Sequence, residues 1–92
     1  FWMSPEMIKG EPHSYPTDIW SFTICMLELA NKVPPNSSNR KRALWLTATQ
    51  GIGDNFGLKK PGDWSEKFRS FVAAGATMDQ TKRPTAEQLL EH

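Results

Sequence analysis

Residues 18–30 read DIWSFTICMLELA, and this stretch decides the fold. Its apolar side chains occupy nearly every face of a helix with 3.6 residues per turn. Such a helix needs neighbours on all sides, which predicts a buried central helix of about a dozen residues. Pro16 suits the first turn of this helix, and Lys32 with Pro34-Pro35 marks its end because proline cannot continue the hydrogen-bond ladder.

A second helix is predicted for residues 39–50, NRKRALWLTATQ, which Gly51 and Gly53 close. Residues 51–62 contain glycine and proline without an apolar period, which is typical of a loop. No alternating strand pattern competes with the helical segments. The sequence therefore predicts a mainly α fold.

Two segments near the end of the sequence predict shorter helices. Residues 63–76, DWSEKFRSFVAAGA, carry one apolar stripe, and Asp63 or Ser65 can cap the start. The stripe consists of Trp64, Phe68, Phe71, Val72 and Gly75. Further on, Thr85 and Gln88 have the spacing of a capping box before two leucines, so a short helix is expected to begin at Thr85.

Length, charge and cysteine content limit the classes of function. Ninety-two residues form one domain or part of one, since a chain this short buries only somewhat more than about 60% of its unfolded surface. The formal net charge of +1 gives no strong overall field that would point to a nucleic acid or an anionic membrane as partner. Cys25, the one cysteine, fits a reducing, cytoplasmic compartment and is expected to be an inert core residue. No apolar run approaches the about 20 residues of a membrane span.

The chain is expected to be a piece of a longer protein. It begins with Phe1 inside an apolar cluster, and the central helix needs more partner surface than three short helices supply. We therefore interpret residues 1–92 as one partial domain that associates through exposed apolar surface.

Several short motifs follow one another along the whole chain. They are Trp2-Met3-Ser4-Pro5-Glu6, Tyr15, Asp18-Ile19-Trp20-Ser21-Phe22, Glu28, Pro34-Pro35, Arg42-Ala43-Leu44, Trp64-Ser65, Phe68, Asp79 and Arg83-Pro84-Thr85-Ala86. In this register the set resembles the second half of the C-terminal lobe of a eukaryotic protein kinase, from the A-P-E element that ends the activation segment to the last helix. FWMSPE, DIWSF and RALWLTATQG most resemble the small-GTPase-activated serine/threonine kinases of the PAK group. The resemblance implies a partial C-lobe with the A-P-E segment and the F, G, H and I helices, without the N-lobe or the catalytic loop.

The resemblance also implies a structural ion pair between Glu6 and Arg83, which are 77 positions apart. In kinases the A-P-E glutamate pairs with an arginine near the end of the lobe. A planar guanidinium can hold a carboxylate through two parallel hydrogen bonds, which a lysine cannot reproduce. The alternative is that Glu6 is a solvated surface carboxylate near a chain end.

Four other residues receive roles from the resemblance. Asp18 matches the aspartate that anchors the catalytic loop, although an acid in a first helical turn is also favoured by the helix dipole alone. Trp2 and Met3 match the substrate-binding loop that shapes the pocket for the residue after the phosphorylated one. Glu28 matches a glutamate that contacts arginine upstream of the phosphosite, and the alternative is an ordinary helix-surface carboxylate.

The residues that transfer phosphate in kinases are not found in this sequence. Kinases need a glycine-rich loop, a strand lysine, a catalytic-loop aspartate and asparagine, and the D-F-G aspartate. The stretch GIGDNFG at 51–57 lacks the strand and lysine context of such a loop. We therefore expect no catalytic, cofactor-binding or metal-binding residue here, and we expect the segment to be inactive alone.

The longer parent is expected to use ATP and Mg²⁺ to phosphorylate serine or threonine in proteins, at sites with basic residues upstream. The PAK-group resemblance implies a small GTPase as its regulator. The alternatives are a parent pseudokinase or a helical protein-interaction module, and a catalytic-loop aspartate with a D-F-G upstream would favour the enzyme.

Other charged residues, and positions that differ from the kinase pattern, carry weaker signals. Arg40-Lys41-Arg42 lacks a supporting basic face and is interpreted as solvated, with a docking role for the kinase G helix as the alternative. His13 and His92 have no ligand-type neighbours at metal spacing, so no metal site is predicted. Thr23 departs from the glycine that most kinases carry after the D-I-W-S-hydrophobic run. Asn36 stands where an aromatic residue is commoner.

Overall fold

The computed structural model describes residues 2–32, 40–51 and 58–91. Its α-helices are α1 (Pro5–Ile8), α2 (Tyr15–Asn31), α3 (Arg40–Gln50), α4 (Glu66–Gly75) and α5 (Ala86–Leu90). Short 3₁₀ turns lie at Pro61–Asp63 and Gln80–Lys82. No strand occurs in the described ranges, so the predicted mainly α architecture is confirmed.

The central helix α2 is longer than predicted, with 17 residues. Pro16 lies in its first turn, as the sequence predicts, and the helix already begins at Tyr15. Lys32 ends it in the left-handed conformation, with φ of 70°. A residue in this conformation is a common way for a helix to end.

One face of α2 forms the core together with α4 and the segment before it. The members of the core are Trp20, Ile24, Leu27, Leu58 and Val72. Trp20, Leu27 and Val72 are fully buried. Burial of each large apolar side chain of this kind is worth about 1.5–3 kcal/mol.

The opposite face of α2 is apolar and exposed. Phe22 is 50% exposed, Leu29 is 76% exposed, and Cys25 is exposed as well. Since a helix turns about 100° per residue, Cys25 lies roughly 140° around α2 from Trp20. The prediction that Cys25 lies in the core is therefore wrong, and α2 is buried on one side only.

The helices α2 and α4 approach each other closely at Gly75. A Cβ atom added at Gly75 would lie 1.9 Å from Oγ1 of Thr23. The hydroxyl of Thr23 donates to the carbonyl of Ile19 at 2.8 Å, which fixes its rotamer. The threonine that departs from the kinase pattern is thus accommodated by the missing side chain on α4.

The caps of the last two helices follow the sequence patterns. Ser65, and not Asp63, caps α4, since its Oγ accepts the backbone N–H of Phe68 at 3.1 Å. The predicted capping box of α5 is confirmed: the Thr85 hydroxyl accepts the N–H of Gln88 at 3.1 Å, and the Gln88 side chain accepts the N–H of Thr85 at 2.8 Å.

The short helix α1 is not among the predicted elements. Ser4 caps it by accepting the N–H of Met7 at 3.3 Å, and Pro5 and Glu6 occupy its first turn. Serine, proline and an acid in this order are a recognised start signal. Four residues are too few to show an apolar period, so only the caps could have indicated this helix.

The predicted helix at 39–50 is observed from residue 40, and Gly51 closes it with φ of 74°. Lys41 is exposed. The glycine-containing stretch at 52–57, the turn at Asn36 and the side chains of Arg40 and Arg42 lie outside the described residues.

Candidate functional site

A buried ion pair joins the start of the described chain to its end. Nη1 of Arg83 donates to Oε2 of Glu6 at 2.6 Å, and Nη2 donates to Oε1 at 2.7 Å. Glu6 is 2% exposed and Arg83 is 7% exposed. The structure therefore brings the two sequence-predicted partners together in the bidentate, desolvated geometry that arginine favours.

Arg83 uses its remaining donors on backbone carbonyls. Nε donates to the carbonyl of Thr77 at 2.6 Å, Nη1 to that of Pro16 at 2.9 Å, and Nη2 to that of Met78 at 3.1 Å. A guanidinium has five N–H donors, and all five are satisfied here. The arginine thus connects α1, the first turn of α2 and the segment after α4.

Two further contacts complete the surroundings of the pair. The hydroxyl of Thr17 donates to Oε2 of Glu6 at 2.8 Å. The guanidinium carbon of Arg83 lies 5.0 Å from the ring centroid of Trp20, within the range of a cation–π interaction. The pair is therefore coupled directly to the aromatic centre of the core.

Burial and hydrogen bonding have opposite effects on the pKa of Glu6. Desolvation alone would raise the pKa of this carboxyl, but the hydrogen bonds from Arg83, from backbone N–H and from Thr17, with the charge of Arg83, lower its pKa from 4.5 to about 2. Glu6 is therefore ionised at neutral pH although it is buried. An ionised, fully hydrogen-bonded carboxylate suits a fixed structural link.

The structure also brings Trp2 and Glu28 together. The indole N–H of Trp2 donates to Oε1 of Glu28 at 2.9 Å, and the hydroxyl of Ser21 donates to the backbone carbonyl of Trp2 at 2.8 Å. Trp2 is 39% exposed and Met3 is 40% exposed. These contacts place the N-terminal segment on the surface of α2 beside Glu28.

Asp18 lies in the first turn of α2, directly after Thr17. Its side chain is exposed, and the described residues give its carboxylate no hydrogen-bond donor. It lines an apolar groove of about 380 Å³ with Phe22, Phe71 and Leu89. The carboxylate is thus free to accept hydrogen bonds at the edge of an apolar surface.

The part of the chain that the structure describes holds no group of three or more His, Cys, Asp or Glu side chains placed for a metal ion. His13 is exposed, and His92 lies outside the described residues. Within the same ranges, no helix has both the length and the apolar character that crossing a bilayer requires.

Some of these contacts have no signal in the sequence. Nothing in the sequence marks the carbonyls of Pro16, Thr77 and Met78 as acceptors, since backbone groups carry no residue code. The Trp2–Glu28 hydrogen bond spans 26 positions. Both Trp2 and Glu28 were predicted to bind substrate, but no contact between them was predicted.

Comparisons with known proteins agree with this architecture. The sequence model of the family described as "Protein kinase domain" matches residues 1–92. The probable serine/threonine-protein kinase mkcC of Dictyostelium discoideum is 54% identical over 92 residues, which cover all of this chain and 10% of that protein. From the same organism, probable serine/threonine-protein kinase mkcB is 44% identical, over all of this chain and 12% of that protein. Serine/threonine-protein kinase pakB is 41% identical, over all of this chain and 11% of that protein.

The chain therefore spans only 10–12% of the length of these curated relatives. Relatives named pakB and pakC confirm the predicted likeness to PAK-group kinases. The mainly α architecture agrees with a partial kinase C-lobe. Since the family match covers every residue, the chain belongs to the protein kinase domain family.

Proposed function

We propose that residues 1–92 are the substrate-side part of a serine/threonine-protein kinase. In the longer protein, the γ-phosphate of Mg-ATP would be transferred to serine or threonine of protein substrates. The names of the relatives support this reaction class. ATP, Mg²⁺ and the catalytic aspartates would be held by other parts of that protein, so we propose that this segment is inactive alone.

The observation that carries the proposal is the buried pair of Glu6 and Arg83. Five hydrogen bonds from one guanidinium join α1, the start of α2 and the segment before α5. The pair fixes the segment of Trp2 and Met3 relative to the helices, and a substrate-binding loop needs such fixed positions. We interpret the pair as scaffolding and not as part of the chemistry.

Glu28 is proposed to bind a basic substrate residue. Trp2 engages Oε1, which fixes the plane of the carboxylate, and Oε2 is left to accept from a guanidinium. Met3 offers an exposed apolar side chain in the adjoining segment. Together they support recognition of a peptide with a basic residue upstream of the phosphorylated position and an apolar surface near it.

Asp18 is proposed to anchor the catalytic loop of the longer protein. Its free carboxylate adjoins the exposed apolar side of α2, which includes Phe22. A polypeptide that covered this side would bury apolar surface and bring backbone N–H donors to Asp18. Regulation by a small GTPase and a cytoplasmic location stay predictions from the PAK-group resemblance.

Phosphate transfer by the full-length protein tests the proposal. The purified protein is incubated with radiolabelled Mg-ATP and a serine peptide that carries arginine upstream, and incorporation is measured. The matched control is the same peptide with alanine in place of serine. We expect transfer to the serine peptide alone. A folded full-length protein that transfers no phosphate would contradict the proposal.

The second candidate function is a pseudokinase or helical interaction module. The exposed apolar side chains of Phe22 and Leu29 favour it, because such a surface also suits a protein partner. A folded full-length protein that binds no Mg-ATP in calorimetry, yet forms a stable complex through α2, would support this candidate over the enzyme.

A further inference from the structure

A small basic cavity lies at the C-terminal end of α2. It has a volume of about 230 Å³ and is lined by Asn31, Lys32, Lys59, Lys60, Asp63 and Trp64. We call it the lysine pocket. Its three lysines come from two separate segments of the chain. The fold brings them together, so they are not simply a run of charge along one helix.

The walls of the lysine pocket are held in place by specific contacts. The backbone N–H of Lys59 donates to Oδ1 of Asn31 at 3.0 Å, which fastens the second segment to the end of α2. The ring of Trp64 packs against that of Phe68 with centroids 4.9 Å apart, and both pack on the core. The cavity is thus part of the folded structure and not a gap between loose side chains.

Among the described residues, the net charge around the lysine pocket is positive. Lys32, Lys59 and Lys60 are exposed, and the structure gives them no ion-pair partner within the ranges that it describes. The opposing charges are Asp63 in the lining and about half a negative charge at the end of α2. The three ammonium groups outweigh both. The helix dipole accounts for a lysine at the end of α2, but not for the other two.

Lys32 also stands where glycine would be favoured. Its φ of 70° is in the left-handed region, and the other described residues with positive φ are Gly10 and Gly51. Glycine is the usual residue in this conformation at a helix end because it has no Cβ. A lysine here supplies a charged side chain to the pocket, although its backbone conformation is less favourable than it would be for glycine.

Size and charge indicate the class of ligand. Sites for drug-sized ligands and cofactors occupy about 300–1,000 Å³. At about 230 Å³ the lysine pocket is smaller than these, and its positive charge suits a single acidic group. Lysine binds phosphate as a point charge, and the indole of Trp64 offers an apolar wall for a side-chain methyl group. Lys32 follows Glu28 by about one helical turn, so the pocket adjoins the proposed binding site for a basic residue.

We propose that the lysine pocket binds a phosphorylated serine or threonine in a protein segment, in tandem with a basic residue at Glu28. The tandem arrangement rests on the proposed function, whereas phosphate binding by the pocket itself does not. The kinase would then favour substrates that already carry a phosphate near the arginine. The reaction that supplies them is an earlier phosphorylation by this or another kinase.

Fluorescence anisotropy of the full-length protein tests the inference without ATP. The probe is a labelled peptide with one arginine and one phosphothreonine, compared with its unphosphorylated form. The test variant is Lys32→Gln/Lys59→Gln/Lys60→Gln. The matched control, Lys9→Gln/Lys67→Gln/Lys82→Gln, removes the same charge from exposed sites outside the pocket. We expect the test variant to lose affinity for the phosphopeptide by about tenfold, from three partly solvated charge pairs.

The control variant should retain wild-type affinity, and added salt should weaken binding because the pocket is exposed. Equal loss in both variants, or equal affinity for the two peptides, would overturn the inference. If the test variant lost binding to phosphatidylserine-containing vesicles while its binding to the phosphopeptide was unchanged, the pocket would be a membrane-binding site. That result would also overturn the inference. A protein that binds the phosphopeptide but transfers no phosphate would contradict the proposed function alone.

Discussion

Glu6 and Arg83 illustrate how one buried charge requires another. Each is desolvated, and each has its hydrogen-bonding capacity met by the other together with Thr17 and backbone carbonyls. Removing one partner of such a pair leaves an uncompensated buried charge, which costs about 3–5 kcal/mol. The link therefore depends on both residues together.

Arg83→Ala is expected to lower the free energy of unfolding of the protein by about 3–5 kcal/mol, because the carboxylate of Glu6 stays buried without its partner. Arg83→Lys should lose much of the same stabilisation, since an ammonium group cannot make the bidentate contact. Urea unfolding followed by circular dichroism measures both. Lys82→Ala is the control at a neighbouring exposed position and should stay within about 0.5 kcal/mol of wild type. An Arg83→Ala protein as stable as this control would refute the energetic role of the pair.

Acid should weaken the protein through Glu6. The fold lowers the pKa of this carboxyl from the ordinary value of 4.5 to about 2, so the ionised form is favoured in the native state. This stabilisation is fully present above the unfolded pKa and is lost as the pH falls from about 4.5 towards about 2. Glu6→Gln should lose this contribution to the pH dependence of unfolding. Parallel stability profiles for wild type and variant through that window would count against the lowered pKa.

Glu28 should determine preference for a basic substrate residue. In the full-length protein, Glu28→Gln keeps the hydrogen bond from Trp2 but removes the charge, so kcat/KM for an arginine-containing peptide should fall about tenfold, in line with a charge-assisted hydrogen bond. A peptide with alanine in place of that arginine is the control and should react at an unchanged rate. A uniform fall for both peptides would indicate a structural role for Glu28.

At the scale of elements, cap chemistry and periodicity account for what could be predicted. The capping box at Thr85 and the proline in the first turn of α2 were readable because each is a local pattern. The sequence predicted that part of the apolar surface is exposed, but not which side of α2 it is, since apolar residues occur on both sides and only packing distinguishes them. The ion pair could be predicted through the kinase resemblance, whereas the contact of Trp2 with Glu28 depends on how the chain returns to α2.

The contact between α2 and α4 should be sensitive to a single methyl group. Gly75→Ala would place Cβ against the hydroxyl of Thr23 and is expected to cost about 1–3 kcal/mol as overpacking. Adding Thr23→Gly should restore part of the loss in thermal melting, so the two changes should not be additive. Gly62→Ala is the control, because its Cβ would meet nothing within 4 Å. Additive losses in the double variant would contradict the proposed contact.

At the scale of the whole molecule, the described helices form one core but leave much apolar surface uncovered. Phe22, Leu29 and Leu90 are 50%, 76% and 89% exposed. This surface agrees with a chain that spans a tenth of its relative mkcC and packs, as we propose, against other parts of a kinase domain. The ion pair connects α1 to the segment just before α5.

The isolated 92-residue segment is expected to self-associate, since apolar side chains are exposed among the residues that the structure describes. Light scattering over a concentration series measures this. Phe22→Lys/Leu29→Lys should shift the segment towards monomer, while the control Lys9→Gln/Lys67→Gln should not. A monomer at all concentrations for the unmodified segment would argue against an uncovered interface on α2.

We propose that the buried pair of Glu6 and Arg83 holds the substrate side of a serine/threonine kinase in its working geometry. The decisive measurement is the rate of phosphate transfer by the full-length protein, wild type against Arg83→Ala. We expect measurable transfer from Mg-ATP to a serine peptide by the wild type, and a large loss in Arg83→Ala below its melting temperature. Transfer by the variant at the wild-type rate would contradict this proposal.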